Sequence, residues 1–114
     1  MTDPAPETAF AAIRDAHLAE PGVDLGKMLH AEALRIAGKA YAFLGKDGMV
    51  AKLPAERVLA LEDEGVGARV TMGKRTMREW AAIPPEEAAR WPDLAEEARR
   101  FVGGLTGGAA GAGA

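Results

Sequence analysis

The chain has no cysteine and no serine. The first absence excludes disulfides, thiol catalysis and cysteine-based zinc sites. The second excludes a serine nucleophile. Aromatic residues make up only 5% of the 114, so a core must come from Leu, Val, Ile, Met and many alanines. No apolar run approaches the roughly 20 residues of a membrane-spanning helix. The opening MTDPAPET lacks a basic stretch followed by an apolar one. No signal peptide is therefore expected, and the cytoplasm is the default compartment.

What is present fits one globular domain with a modest core: 48% apolar and 27% charged residues. The net charge of −3 is unevenly spread. From Lys27 to Glu79 there are ten basic and seven acidic residues; the flanks carry four basic and ten acidic. The middle of the chain is mildly basic and the ends are acidic. A solvated helix surface would explain this, and so would a weak basic surface for an anionic partner.

In chain order, a helix is expected from about Pro6 to Glu20, ended by Pro21-Gly22, with Phe10, Ile13 and His17 on one face. Val23–Met28 reads as a connection. Three strands follow: Ala33–Ile36, Ala40–Leu44 with Tyr41 and Phe43 sharing a face, and Met49–Leu53. Asp47-Gly48 is a strong hairpin signal, because both residues tolerate positive φ. Pro54 opens a helix to about Glu64, with Ala55, Val58, Leu59, Leu61 and Glu62 inward and Gly65 as its stop. Strands at Ala68–Thr71 and Arg78–Ile83 flank a basic turn. A last helix starts at Pro92 and stops at Gly103, anchored by buried Trp91 and Phe101. The fold expected is α+β and two-layer. Its mainly antiparallel sheet has five strands, with helices on one face in the order α-β-β-β-α-β-β-α. Residues 1–104 would form the domain and the Gly/Ala-rich residues 105–114 a disordered tail.

Chemistry is sparse. His17 and His30 have no partner at metal-ligand spacing. Glu62-Asp63-Glu64 could meet a cation but more often is solvated. Gly45–Gly48 and Gly65–Gly67 lack the pattern of a phosphate loop. No catalytic, metal or cofactor residue is assigned, and the chain is expected not to be an enzyme. The basic residues Lys39, Lys46, Lys52, Lys74, Arg75 and Arg78 are the candidate contacts for a partner. Trp80 either belongs to the core or, if it points outward, adds a stacking surface to the arginines beside it.

Three stretches together resemble the N-terminal domain of the TfoX/Sxy family. They are Gly38-Lys-Ala-Tyr-Ala-Phe43, then Gly48-Met-Val-Ala-Lys-Leu-Pro54 with Glu56 and Arg57, then Met72-Gly-Lys-Arg-Thr-Met-Arg-Glu-Trp80. Lys27-Met28 fits the opening of that domain, while Leu29 and His30 depart from its Phe-Gly. The resemblance spans about Lys27 to Ile83. The Gly-Lys-x-Phe-Ala and Val-x-Lys cadence is also similar to the DNA-binding MmcQ/YjbR family. The first resemblance implies a non-enzymatic α+β module linked to transcription regulation and competence. Full-length members carry a second domain that the similarity does not reach. Two roles follow as expectations: a protein-interaction module that forms a homodimer or takes a protein partner, or a nucleic-acid binder using the basic residues. The sequence pI near 5.4 weighs against the second, because such binding rests on phosphate neutralisation.

Overall fold

The computed structural model describes residues 5–28 and 31–106. These form α1 (Pro6–Leu18), β1 (Val23–Met28), β2 (Ala31–Ile36), β3 (Lys39–Gly45), β4 (Gly48–Lys52), α2 (Ala55–Asp63), β5 (Ala68–Met72), β6 (Arg75–Ile83) and α3 (Trp91–Thr106). A 3-10 turn at Pro85–Arg90 leads into α3. The strands make one antiparallel sheet in the order β1-β2-β3-β4-β6-β5. The α+β class and the antiparallel sheet are as expected; the strand count is six rather than five. α1 and α2 start without side-chain caps, which suits a chain without serine or asparagine; Pro6 occupies the first turn of α1 and Pro54 precedes α2.

The extra strand is β1, which the sequence places in a connection. Asp24 and Gly26 both argue against a strand, yet each has a reason to be there. Arg35 on the paired strand reaches across Gly26 to Asp24, making hydrogen bonds of 2.9 and 2.7 Å. A Cβ on Gly26 would sit 2.5 Å from Arg35 Cδ, so only glycine lets that side chain cross.

One core lies between the sheet and the helices. Phe10 and Ile13 of α1, Val58 and Leu61 of α2, and Trp91, Leu94, Ala98 and Val102 of α3 pack there with Leu34, Tyr41, Met49, Leu53 and Ile83. Trp91 is fully buried and donates from Nε1 to the Ile83 carbonyl at 3.1 Å. Phe101 is only partly buried. Leu59, expected inward, is 49% exposed, because Val58 and Leu61 already fill the inner side of α2. Gly103 does not stop α3: the helix runs on to Thr106 and Gly103 packs against Ile36. Leu105 and Thr106 thus belong to the helix, and the rest of the expected tail lies outside the described residues.

Tyr41 and Phe43 face opposite sides of the sheet. Leu34 pairs with Ala42 but Arg35 pairs with Ala40, so Tyr41 is an extra residue in a bulge and the alternation resets. The turns also differ from expectation. The two-residue turn with both φ values positive is Ala37-Gly38, at +52° and +81°. At the Asp47-Gly48 hairpin only Gly48 has positive φ, +131°, and it already pairs with Gly45 inside the strand.

Gly48→Ala would place its Cβ 2.0 Å from the Ile83 carbonyl oxygen. Both this clash and the positive φ penalise the variant, so a loss of more than about 2 kcal/mol is expected in urea unfolding. Ala37→Gly should instead raise stability by about 0.5–1 kcal/mol, since it relieves a left-handed alanine.

Candidate binding face

The six strands line up one continuous row on the side away from the helices. The pairings Gly26–Ala33, Ala33–Phe43, Phe43–Val50, Val50–Ala82 and Ala82–Ala68 cross the whole sheet. A second, smaller cluster forms there from strand residues alone: Ala33, Phe43, Val50 and Trp80, with Met77, Val70 and Ala82 packed against it. Trp80 is therefore both buried, at 6% exposure, and on the helix-free face. Its ring lies 6.0 Å from that of Phe43, tilted by 57°.

A break in strand pairing positions Trp80. Arg69 pairs with Ala81 and its neighbour Val70 pairs with Met77, which leaves Arg78, Glu79 and Trp80 without β5 partners. Such a break bends a strand, and on its other side β6 keeps its pairing with β4 at Trp80. There Lys52, paired with Trp80, holds its Nζ 5.6 Å from the ring centroid. Lys52, Arg75, Thr76, Met77, Arg78, Glu79 and Trp80 line one groove of about 330 Å³, which Ala55 at the start of α2 closes at one end. A larger hollow of about 610 Å³ lies beside it, with Phe43, Val50, Ala68, Val70 and Ala82 among its lining and Lys46 at the β3–β4 turn.

Of the six basic residues expected from sequence, the structure gathers Lys52, Arg75 and Arg78 in the groove and puts Lys46 at the hollow. Lys39 starts β3 and Lys74 sits in the β5–β6 turn, so neither joins that groove. The cations divide in a consistent way. Arg14, Arg57, Arg69, Arg90, Arg99 and Arg100 each pair with a carboxylate on or beside a helix or on the neighbouring sheet, and Arg35 pairs with Asp24. Lys27, Lys39, Lys46, Lys52, Lys74, Arg75 and Arg78, all on strands or strand turns, make no ion pair among the described residues. Two carboxylates of the Glu62–Glu64 run have partners: Glu62 meets both the guanidinium and the backbone N–H of Arg69, and Glu64 lies 3.7 Å from Arg90. The Arg69 N–H contact also covers part of the free β5 edge.

A buried polar pair went unseen in the sequence. His17 Nδ1 of α1 lies 2.7 Å from the Tyr41 hydroxyl of β3, and His17 Nε2 lies 4.0 Å from Glu96 of α3. Burial pushes His17 below its usual value, opposed by Glu96 and reinforced by Arg99. Burial also raises Tyr41, and hydrogen bonds from Arg99 and Arg100 hold Glu96 down at about 2. Tyr41 is fully buried and His17 nearly so, and the pair ties α1 to the sheet. His30 lies outside the described residues. Among the described residues no group of three His, Asp or Glu could hold a metal, and no helix is long and apolar enough to cross a membrane. The groove offers three cations, the Thr76 hydroxyl and the Glu79 carboxylate. No family model, curated protein or solved structure matches this chain.

Two outcomes are expected. His17 is harder to protonate folded than unfolded, so its contribution to stability is present above pH 6.5 and lost as pH falls below it. Glu96 adds a second loss between pH 4.5 and about 2. Unfolding measured across pH should show both stages, with the upper one missing in His17→Leu. Separately, changing Lys52, Arg75 and Arg78 together to glutamine should alter stability by no more than about 1 kcal/mol, since none is ion-paired; denaturant midpoints check this.

Proposed function

We propose that this protein is a non-enzymatic interaction module that takes an acidic protein partner on the helix-free sheet face. The observation that carries this is the separation of paired from unpaired cations. Arginines around the helix layer are neutralised locally, while Lys52, Arg75 and Arg78 make no ion pair among the described residues and outnumber Glu79, the one carboxylate in the lining of their groove. Unpaired charge on one face steers and orients an oppositely charged partner. A second copy fits this face less well than an acidic partner, because two such faces would bring like charges together. The similarity of residues 27–83 to the TfoX/Sxy N-terminal domain supports a regulatory setting. Nucleic acid is the weaker alternative: stacking needs an open ring face, and Trp80 is 6% exposed beneath Lys52.

The test is a fluorescence-anisotropy titration with labelled hexaglutamate and with a single-stranded oligonucleotide, at two salt concentrations. Hexaglutamate should bind, weaken with salt, and weaken by about tenfold in the Lys52, Arg75, Arg78 glutamine variant. Light scattering of the protein alone should give a monomer. No binding of hexaglutamate, or tighter binding of the oligonucleotide, would overturn the proposal.

A further inference from the structure

The helix-free face carries two hollows rather than one, and their relative placement says what kind of segment fits. The pairings Val50–Ala82 and Lys52–Trp80 lie two residues apart on the same ladder, with Ala51–Ala81 between them. Val50 and Ala82 belong to the larger hollow, Lys52 and Trp80 to the basic groove. Two residues along a strand advance about 7 Å and keep side chains on the same face. The hollows therefore adjoin, one apolar in floor and one with three cations against the single carboxylate of Glu79.

The apolar hollow exists because of a size step along the cross-strand row. Phe43 and Val50 are large, and the next two residues, Ala82 and Ala68, are small. The step leaves a depression walled by Val70, of a volume that accepts a bulky side chain. Lys46 and Asp47 at its rim offset each other in charge, so the hollow contributes shape rather than net charge.

We infer that the partner binds as an extended segment with a bulky apolar residue in the Ala68–Ala82 hollow and acidic residues two and four positions on, against Lys52, Arg75 and Arg78. This rests on the binding role proposed above and specifies the partner's chemistry. The occupant is an acidic peptide rather than a lipid or a nucleotide, because apolar anchor and charge are spaced at the period of an extended chain. Such a segment lays alternate side chains on the face and leaves the intervening ones in solvent.

The test uses two labelled peptides, Leu-Thr-Glu-Thr-Glu-Thr-Glu and the same peptide with Gly for Leu. The leucine peptide should bind at least about tenfold tighter, the gain expected from burying one such side chain. Ala68→Phe, which fills the hollow from an exposed position, should erase that difference while leaving the glycine peptide unaffected. Val70→Thr, nearly equal in shape, should reduce it and serves if Ala68→Phe fails to fold. Equal affinity of the two peptides for the parent protein would overturn this inference and leave the basic-face role standing. Failure of both peptides to bind at low salt would overturn the role itself and this inference with it.

Discussion

A sheet covered by helices on one side still has to dispose of the other, and that constraint shapes most of this molecule. Burying apolar surface is the main source of folding free energy. An uncovered second face would waste part of it and invite association. Here the second face is closed by its own strands. The break in β5–β6 pairing bends β6, so Trp80, Met77 and Phe43 pack on each other without a second layer. Phe43, Val50 and Trp80 reach 4–6% exposure in this way. Two hollows lie beside the cluster, and one of them gathers Lys52, Arg75 and Arg78.

The helix layer is settled in a different manner. Bidentate contact between Arg57 and Glu97 joins α2 to α3, at 2.9 and 3.1 Å. Glu96 serves Arg99 and Arg100 at once. His17 and Tyr41 complete the join between α1 and the sheet. Such exposed and half-exposed pairs contribute little each, but among the described residues they pair every arginine on the helices. The acidic flanks and basic middle of the sequence thus have a spatial meaning: carboxylates of the helices answer the arginines near them, and the sheet's lysines go unanswered.

Much of the fold was legible because it rests on local chemistry. Proline at Pro6 and Pro54 marks helix starts, the α1 face of Phe10, Ile13 and His17 is buried as spaced, and Gly65 takes positive φ after α2. The misses share a physical origin in contacts between residues distant in sequence. Gly26 looks like a strand breaker until Arg35 is seen lying across it. Tyr41 and Phe43 look alike until the bulge opposite Leu34 and Arg35 separates them. Gly103 looks like a helix stop until Ile36 is placed against it. The candidate basic residues were legible by type, but their grouping was not, because the break at Arg78–Trp80 has no signature in the sequence. The larger hollow was invisible for a similar reason: it comes from two alanines on different strands meeting in register.

If the helix-free face is the binding surface, amide shifts on adding hexaglutamate should show it residue by residue. The decisive measurement is a proton–nitrogen correlation spectrum of the labelled protein during that titration. The shifts should concentrate at Lys52, Arg75, Thr76, Met77 and Arg78, with α1 and α3 unmoved. Shifts centred on the helices, or spread evenly over every exposed lysine, would contradict the account.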